Sequence, residues 1–239
     1  MKFYRQWQAV QALTFDLDDT FYDNYPFIRR AEQLKFEFMH QSYPATQALT
    51  PLFWRKLRKD VLTEFPYYKS DMIRLRRTVL NRGLHVAGLQ GDELSEAIES
   101  VYQKFYFERS NFVVRQEVHD VLGKLAKHYP LVAITNGNVD LSRIGIAEYF
   151  KWALHADHEQ PMKPDPCMFN KAVELLNVPA PQILHVGDSL KNDVMGALNA
   201  GFKAGWYVDN RAMNMDTERA YILPDVEFAN LTEMVELLC

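Results

Sequence analysis

The chain has 239 residues, of which 48% are hydrophobic, and its formal net charge is -4 at neutral pH. This length and composition are sufficient for a large core and argue against disorder. The negative balance excludes a general attraction to nucleic acid or to an anionic membrane, so an anionic partner must be held by a local cluster. Small substrates are therefore favoured over polymers.

The chain carries two cysteines, Cys167 and Cys239, and neither lies in a Cys-x-x-Cys motif or beside clustered histidines. Such cysteine usage is typical of a reducing compartment. Residues 1–7 lack the apolar stretch of a signal peptide, and no later run approaches the length of a membrane span. The sequence predicts a soluble, cytoplasmic protein with no membrane partner.

The first part of the chain predicts one short strand followed by a helical insertion. Residues 12–16 are apolar and β-prone until they reach Asp16. Between residues 26 and 109 no strand pattern of comparable strength occurs. Apolar residues recur there at helical spacing in residues 27–39, 52–65, 72–80 and 94–107.

The remainder of the chain alternates between helices and short strands. Helices are predicted at residues 114–128, 167–176, 192–200 and 231–238, and strands at residues 131–135, 183–187 and 204–208. This alternation predicts an α/β fold with a parallel sheet. In such sheets the ligand crevice lies beyond the carboxyl ends of the strands, where Asp16, Thr135 and Asp188 are predicted to converge.

The acidic residues at these strand ends suit phosphate chemistry. Asp16 and Asp18 lie two positions apart after the first strand, so one carboxylate can attack phosphorus while the other transfers protons. A phosphate is repelled by bare carboxylates, and a magnesium ion held by Asp16 and Asp188 would cancel that repulsion. An isolated Asp-x-Asp is weak support, because Asp is common in turns and helix caps.

Other polar residues of these segments offer contacts to a phosphoryl group. Thr135 and the backbone amides of Asn136 and Gly137 can donate hydrogen bonds, and Lys163 offers a positive charge. His185 falls inside a predicted buried strand, where a hydrogen-bonded core histidine is the ordinary outcome. Taken alone, neither these hydrogen-bond donors nor His185 identifies a reaction; the order of the motifs along the chain is needed for that.

Four segments, in order, together resemble the motifs of the haloacid dehalogenase superfamily. They are Asp-x-Asp-x-Thr from Asp16, the strand ending in Thr-Asn-Gly at Thr135, Lys-Pro-Asp-Pro from Lys163, and Gly-Asp-x-x-x-x-Asp from Gly187. The resemblance implies a Rossmann-like α/β catalytic core made of residues 1–22 and 110–239. It also implies a helical-bundle cap made of residues 23–109, which follows the first motif.

The resemblance also assigns roles to individual residues. It implies that Asp16 is the nucleophile, and that Asp18 is the acid and base and lends its backbone carbonyl to the metal. The implied phosphate-binding residues are Thr135, Asn136 and Lys163. The implied magnesium site consists of Asp16, Asp18 and Asp188, with Asp193 supporting it.

The presence of Asp18 favours phosphate esters, because members of the superfamily that cleave carbon–halogen bonds typically lack this acid. The resemblance is strongest to bacterial members that act on flavins and their phosphorylated precursors. It implies two small phosphorylated substrates, FMN and a pyrimidine intermediate of riboflavin synthesis. A nucleotidase or sugar phosphatase of the same superfamily remains an alternative. A phospho-Asp signalling switch fits less well, since it needs neither Asp-x-Asp nor a cap. A binding protein without catalytic activity is disfavoured because every catalytic position of the motifs carries a suitable residue.

The predicted cap is rich in basic and aromatic residues. Residues 51–82 contain nine Lys or Arg against three acidic residues, an excess that could steer an anionic substrate, although most of these side chains are expected on a solvated helix face. Trp54, Tyr67 and Tyr68 could stack on a flat ring, but aromatic residues at helical spacing belong more often to a core.

Overall fold

The computed structural model describes residues 1–208, 215, 218 and 222–239. The strands are β1 (Lys2–Phe3), β2 (Ala12–Phe15), β3 (Leu131–Thr135), β4 (Trp152–His155), β5 (Ile183–Gly187), β6 (Lys203–Tyr207) and β7 (Val226–Phe228). The helices are α1 (Asn24–Ser42), α2 (Pro51–Glu64), α3 (Met72–Val86), α4 (Gly91–Arg109), α5 (Gln116–His128), α6 (Cys167–Leu176), α7 (Gly196–Asn199) and α8 (Thr232–Leu238). A π-helical segment, Leu190–Met195, leads directly into α7.

The strands form one sheet in the order β1-β7-β6-β5-β2-β3-β4. All neighbours are parallel except β1, which pairs antiparallel with β7. Every residue of β2, β3 and β5 is buried, which matches their apolar, β-branched composition. The predicted α/β fold with a parallel sheet is confirmed, and β2 lies between β3 and β5 at its centre.

Strands β1, β4 and β7 were not predicted from the sequence. Each has four residues or fewer, and β4 is exposed at its first two positions. Short, partly exposed strands do not show the apolar run that marks a buried strand. The predicted helix at residues 192–200 starts earlier, as the π-helical segment Leu190–Met195.

The chain divides into two compact units. One comprises residues 1–24, 113–156 and 160–239, and the other comprises residues 25–112 with 157–159. The boundaries predicted from the sequence, 22/23 and 109/110, fall within three residues of the two main transitions. The first unit contains the sheet, and we call it the sheet unit; the second contains most of α1 and all of α2, α3 and α4, and we call it the helical unit.

The helical unit has its own apolar core. Thr50 and Asp71 cap the starts of α2 and α3, since their side chains accept hydrogen bonds from the backbone N–H groups of Phe53 and Arg74. The core includes Met39, Trp54, Leu80, Leu84, Val101 and Tyr102. No described helix of either unit is long and apolar enough to cross a bilayer.

An ion-pair cluster links α1 and α3 in the helical unit. The Glu32 carboxylate contacts the Lys35 ammonium at 2.5 Å and also the guanidinium of Arg76. Burial opposes ionisation of Glu32, but the charges of Lys35 and Arg76 outweigh it and lower the pKa of Glu32 from 4.5 to about 2. The carboxylate therefore stays charged throughout the physiological range.

We expect Glu32→Gln to lower the free energy of unfolding by about 1–2 kcal/mol at pH 7. This is less than the full pKa shift corresponds to, because one third of the Glu32 side chain is exposed and solvent screens its charge. Because the folded pKa lies below the unfolded one, this contribution is present above pH 4.5 and is lost as the pH falls towards 2. Urea unfolding at a series of pH values measures it. Glu37→Gln, an exposed residue of the same helix, is the control, and an equal effect of both substitutions at pH 7 would contradict the assignment.

Candidate active site

A pocket of about 250 Å³ lies at the carboxyl ends of three adjacent strands of the sheet unit. Asp16 directly follows β2, Thr135 ends β3, and Asp188 directly follows β5. Since the three strands are parallel neighbours, their carboxyl ends open at the same edge of the sheet. The pocket is lined by Asp16, Asp18, Asp19, Thr135, Asn136, Gly137, Lys163, Asp188, Ser189, Asn192 and Asp193.

All seven site residues proposed from the sequence line this pocket. They come from four segments that are far apart in the chain, and the alternating strands bring them together. Five of the lining residues are aspartates and one is a lysine. The pocket therefore has a strong excess of negative charge, which is costly near a buried sheet edge unless a cation compensates it.

Lys163 connects three parts of the site. Its ammonium donates hydrogen bonds to Asp16 Oδ1 at 2.8 Å, to Asp193 Oδ1 at 2.6 Å and to the backbone carbonyl of Ile134 at 2.6 Å. The residue is 3% exposed, so these three acceptors replace the water that an ammonium group otherwise requires. All three donors of the ammonium are used within the protein.

The buried charges shift one another's ionisation. Burial raises the pKa of Asp16 well above its usual value, with the neighbouring charges of Asp193 and Asp188 adding to the effect and Lys163 opposing it. Burial alone would lower the pKa of Lys163, but the charges of Asp16 and Asp193 outweigh it and raise that pKa. The surroundings therefore favour the charged form of Lys163 and disfavour the charged form of Asp16.

Asp193 is held by three groups of the protein. Its Oδ1 accepts hydrogen bonds from Lys163 and lies 3.2 Å from His185 Nε2, and its Oδ2 accepts one from the Ser189 backbone N–H at 2.9 Å. Gly187 is required beside it, because a Cβ atom at that position would collide with the Asp193 carboxylate. Burial disfavours the charged form, but Lys163 and His185 together lower the pKa of Asp193.

His185 is the hydrogen-bonded core histidine that the sequence predicted. Its Nδ1 lies 2.9 Å from Thr14 Oγ1 on β2, and its other ring nitrogen faces Asp193. Burial lowers the pKa of His185 to about 4, although the hydrogen bond to Asp193 opposes the shift. The imidazole is therefore neutral at pH 7 and orients Asp193 without adding charge.

Asp18 is less buried than Asp16 and faces a glycine. Its Oδ1 accepts a hydrogen bond of 2.5 Å from the Tyr22 hydroxyl, and a Cβ atom at position 137 would collide with its Oδ2. Glycine at position 137 thus leaves room for the Asp18 carboxylate. Between Asp18 and Tyr22 the chain makes a tight turn, in which Asp19 has a positive φ of 61°.

Thr135 and Asn136 have different environments. The Thr135 hydroxyl oxygen accepts a hydrogen bond from the Gly137 backbone N–H at 3.0 Å, which orients its own hydrogen for donation elsewhere. The Asn136 side chain instead forms a reciprocal pair with the Lys163 backbone: its Oδ1 accepts from the N–H at 2.7 Å, and its Nδ2 donates to the carbonyl at 3.1 Å. The Asn136 side chain therefore positions the Lys163 segment.

The carboxylates of Asp16, Asp188 and Asp193 each offer an oxygen atom within 4.8 Å of the others, which is close enough for one cation. Both oxygens of Asp193 already accept hydrogen bonds from the protein, whereas the Asp188 side chain is buried at the edge of the pocket. Oxygen-only donors of this kind suit a hard divalent ion. The donor set fits magnesium.

Four pocket residues were not among the predicted site residues: Gly137, of which only the backbone amide was considered, and Asp19, Ser189 and Asn192. Asp19 lies inside the Asp-x-Asp-x-Thr segment, and its carboxylate accepts a hydrogen bond from the Asn24 backbone N–H. Ser189 begins the π-helical segment and accepts a hydrogen bond from the Asn192 backbone N–H at 3.1 Å. The Ser-x-x-Asn spacing, which is typical of a helix start, could have indicated this local structure.

Comparison with known proteins connects this arrangement with a family. The chain is 38% identical to the 5-amino-6-(5-phospho-D-ribitylamino)uracil phosphatase YigB of Escherichia coli (strain K12), over 100% of both chains. It is 25% identical to the glyceraldehyde 3-phosphate phosphatase of Pyrococcus furiosus, over 97% of this chain and 94% of the relative. Among solved structures it resembles a 2-haloacid dehalogenase from Pseudomonas syringae pv. Tomato DC3000 with a TM-score of 0.88 and 35% identity, over 96% of this chain and 98% of the other.

The family profile described as haloacid dehalogenase-like hydrolase matches residues 10–201, which include every pocket residue. The match begins just before β2 and ends just after α7, so it covers the central strands of the sheet and the whole helical unit. It confirms the resemblance noted from the four sequence motifs. The chain therefore belongs to the haloacid dehalogenase-like hydrolase family.

Proposed function

We propose that this protein is a magnesium-dependent phosphatase that hydrolyses small phosphomonoesters through a phosphorylated Asp16. The observation that carries the proposal is the buried Asp16 carboxylate at the pocket, in contact with the Lys163 ammonium at 2.8 Å and close to Asp188. A carboxylate so placed is a competent nucleophile for phosphorus. The relatives named as phosphatases support the same reaction class.

The reaction takes two displacements. In the first, an Asp16 oxygen forms a bond to phosphorus, the ester P–O bond breaks, and Asp18 gives its proton to the departing alkoxide. In the second, Asp18 removes a proton from water, the water oxygen bonds to phosphorus, and the bond between Asp16 and phosphorus breaks to release inorganic phosphate. Asp18 lines the same pocket, and its hydrogen bond from Tyr22 fixes one of its oxygens while the other faces Gly137.

Thr135, Asn136 and Lys163 complete the proposed phosphate site. The Thr135 hydroxyl can donate to a phosphoryl oxygen, since its oxygen already accepts from Gly137. Lys163 contributes positive charge through a position fixed by the Asn136 amide, and it must exchange one of its three present acceptors to contact phosphate directly. Because the Asn136 side chain is paired with the Lys163 backbone, its own contact with phosphate would come from its backbone N–H.

Asp16 and Asp188 would hold the magnesium ion, together with the backbone carbonyl of Asp18, as the family resemblance implies. The bound ion supplies positive charge that cancels the repulsion between the acidic pocket and a phosphate dianion. Asp193 would act indirectly, because its oxygens are occupied by Lys163, His185 and the Ser189 amide. Its role is to hold Lys163 and the Asp188 segment in position.

Chelation tests the metal assignment. We expect EDTA to abolish phosphate release and magnesium to restore it, and Asp188→Ala to remove or greatly weaken this response, because water cannot replace the lost charge. Magnesium should also raise the melting temperature of the wild type but not that of Asp188→Ala. Asp120→Ala, an exposed aspartate of α5, is the matched control. Full activity in the presence of the chelator would rule out the metal.

The favoured substrates are 5-amino-6-(5-phospho-D-ribitylamino)uracil and FMN, as in riboflavin metabolism. Support comes from YigB, the relative matched along the full chain, whose name specifies the first of these molecules. The free thiols of Cys167 and Cys239 suit a reducing compartment, and the proposal accordingly assigns the reaction to the cytoplasm.

Phosphate release from a panel of esters tests the substrate. We expect a higher kcat/KM for FMN and the pyrimidine intermediate than for ribose 5-phosphate, AMP or glyceraldehyde 3-phosphate, since contacts with the shared phosphate cancel in the ratio. If AMP or ribose 5-phosphate is hydrolysed tenfold better, the nucleotidase or sugar phosphatase alternative replaces this assignment. Chloride release from 2-chloropropionate tests the dehalogenase activity named for the Pseudomonas syringae structure, and we expect none because Asp18 is present.

A further inference from the structure

The helical unit contains a cavity of about 600 Å³ that shares no residue with the pocket of the sheet unit. We call it the helical-unit cavity. Its volume lies within the range that is usual for small-molecule sites. Helices α1, α2, α3 and α4 all contribute to its wall, and its apolar surface comes from Phe36, Trp54, Leu75, Leu80, Tyr102 and Phe105. Aromatic walls of this kind suit a planar ring.

The polar part of the wall is strongly cationic. It consists of one carboxylate, Glu32, and five cations, namely Arg29, Lys35, Arg55, Arg58 and Arg76. Glu32 is already engaged by Lys35 and by Arg76, and its lowered pKa keeps it charged. A single carboxylate cannot neutralise the remaining guanidinium groups, so the cavity has a positive field suited to an anion.

Three arginines of the cavity wall have no ion pair with any described residue. Lys56, Arg74, Arg77 and Arg82 each form an ion pair with a carboxylate. Arg29, Arg55 and Arg58, in contrast, have no carboxylate within 4.0 Å among the residues that the structure describes. Of the nine basic residues noted in the sequence, four are thus paired with carboxylates and three line the cavity, namely Arg55, Arg58 and Arg76; the remaining two, Lys59 and Lys69, are exposed.

The position of Arg58 adds an energetic argument. Desolvation and the nearby charge of Arg76 lower the pKa of the Arg58 guanidinium, although Glu32 opposes the shift. Two guanidinium groups that face the same cavity repel each other while both remain protonated. An anion between them would turn this repulsion into two attractive, charge-assisted hydrogen bonds.

Two buried donors of the cavity wall lack acceptors. Trp54 is 7% exposed, and its indole Nε1 has no hydrogen-bond partner among the described groups; the same holds for Arg76 Nε. Buried donors without a partner are uncommon, since each costs about 1–3 kcal/mol. Trp54 cannot relieve this by shifting towards α3, because its ring already lies in close contact with Gly83. Both donor atoms are enclosed by the wall, so an acceptor on a bound molecule reaches them only if neighbouring side chains move.

We propose that the helical-unit cavity binds an organic anion that carries a planar ring, such as a phosphorylated heterocycle. The arginines hold the anionic group, and the aromatic wall packs against the ring. Two sources share this chemistry: a second molecule of the phosphorylated substrate, bound separately from the one in the pocket of the sheet unit, and an independent regulatory nucleotide. Binding itself does not depend on the function proposed above.

The test measures FMN binding to the full-length protein in EDTA by titration calorimetry and flavin fluorescence, with AMP and uncharged riboflavin as comparison ligands. We expect Arg58→Gln to weaken FMN binding about fivefold or more, as loss of a charge-assisted hydrogen bond predicts. Lys59→Gln removes the same charge from the neighbouring, exposed residue outside the cavity wall, and it should change the affinity less than twofold. Riboflavin should bind more weakly than FMN to the wild type.

Equal effects of Arg58→Gln and Lys59→Gln, or equal binding of riboflavin and FMN, would overturn the proposal. Because binding is measured without turnover, an inactive phosphatase would leave this result unaffected. Steady-state kinetics with glycerol phosphate, an ester that has no ring, then distinguishes between the two possible occupants of the cavity. If the occupant is a second substrate molecule, FMN alters kcat for glycerol phosphate in the wild type and not in Arg58→Gln. If it is a regulatory nucleotide, AMP has this effect and FMN does not.

Discussion

Asp16→Asn is expected to lower kcat for phosphate release by about 10⁴-fold or more, as removal of a nucleophile does in other hydrolases. The amide keeps the size and shape of the carboxylate but cannot form the bond to phosphorus, and it binds a divalent ion poorly. The fold should remain intact, because the amide oxygen can still accept the hydrogen bond of Lys163, whose ammonium keeps its ion pair with Asp193. Circular dichroism and urea unfolding in EDTA should therefore match the wild type closely.

The control for this substitution is Asp120→Asn, which changes an exposed carboxylate of the same unit outside the pocket. It should retain wild-type activity. Near-normal turnover by Asp16→Asn would refute the covalent mechanism, whereas turnover that stays low despite an unchanged fold would support it. Trapping of phosphate on the wild-type protein, and its absence on the variant, would identify the attacked atom directly.

Lys163→Met is expected to damage both catalysis and stability. Loss of the ammonium leaves the Asp16 and Asp193 carboxylates and the Ile134 carbonyl without their buried donor. Breaking a buried ion pair from one side typically costs about 3–5 kcal/mol, because the remaining charge is uncompensated. The turnover number should fall by about 10²–10³-fold, through lost stabilisation of charge on the phosphoryl group.

Urea unfolding and steady-state kinetics measure the two effects separately. Lys171→Met is the control, because Lys171 is an exposed residue of α6 whose ammonium pairs with Glu174 at 2.9 Å. It should change stability by less than about 0.5 kcal/mol, as exposed pairs do. An unfolding free energy of Lys163→Met equal to that of the wild type would show that the buried contacts of Lys163 are not needed for the fold.

The sequence predicted the central strands well because their apolar runs end abruptly in polar residues. β3, β5 and α6 match their predicted bounds at residues 131–135, 183–187 and 167–176. Helices α1, α3 and α4 are longer than their apolar repeats at residues 27–39, 72–80 and 94–107 indicate, whereas α2 has the predicted length but lies one residue earlier. Strands of two to four residues at the margins of the sheet had no comparable signal.

The candidate site, too, could be predicted only in part from the sequence. The motifs predicted which side chains meet, because parallel strands align their carboxyl ends. They could not predict that Lys163 uses all of its donors within the protein, or that Asn136 holds the Lys163 backbone. These contacts join residues 27 to 147 positions apart and depend on side-chain packing, which no local pattern encodes. Likewise, the ion pairs of the basic residues in the helical unit became visible only with the fold.

The central position of β2 has a consequence for how the protein folds. β2 is synthesised before the helical unit, but its two neighbours follow only after it: β3 after the whole helical unit, and β5 after much of the remaining chain as well. Its ladder on both sides is made of long-range pairs, which form slowly because the loop-closure entropy must be overcome first. During synthesis on the ribosome, Asp16 can meet Lys163 and Asp188 only after those residues have been made, so enzymatic activity should appear only after the last central strand has been released. The helical unit can form earlier.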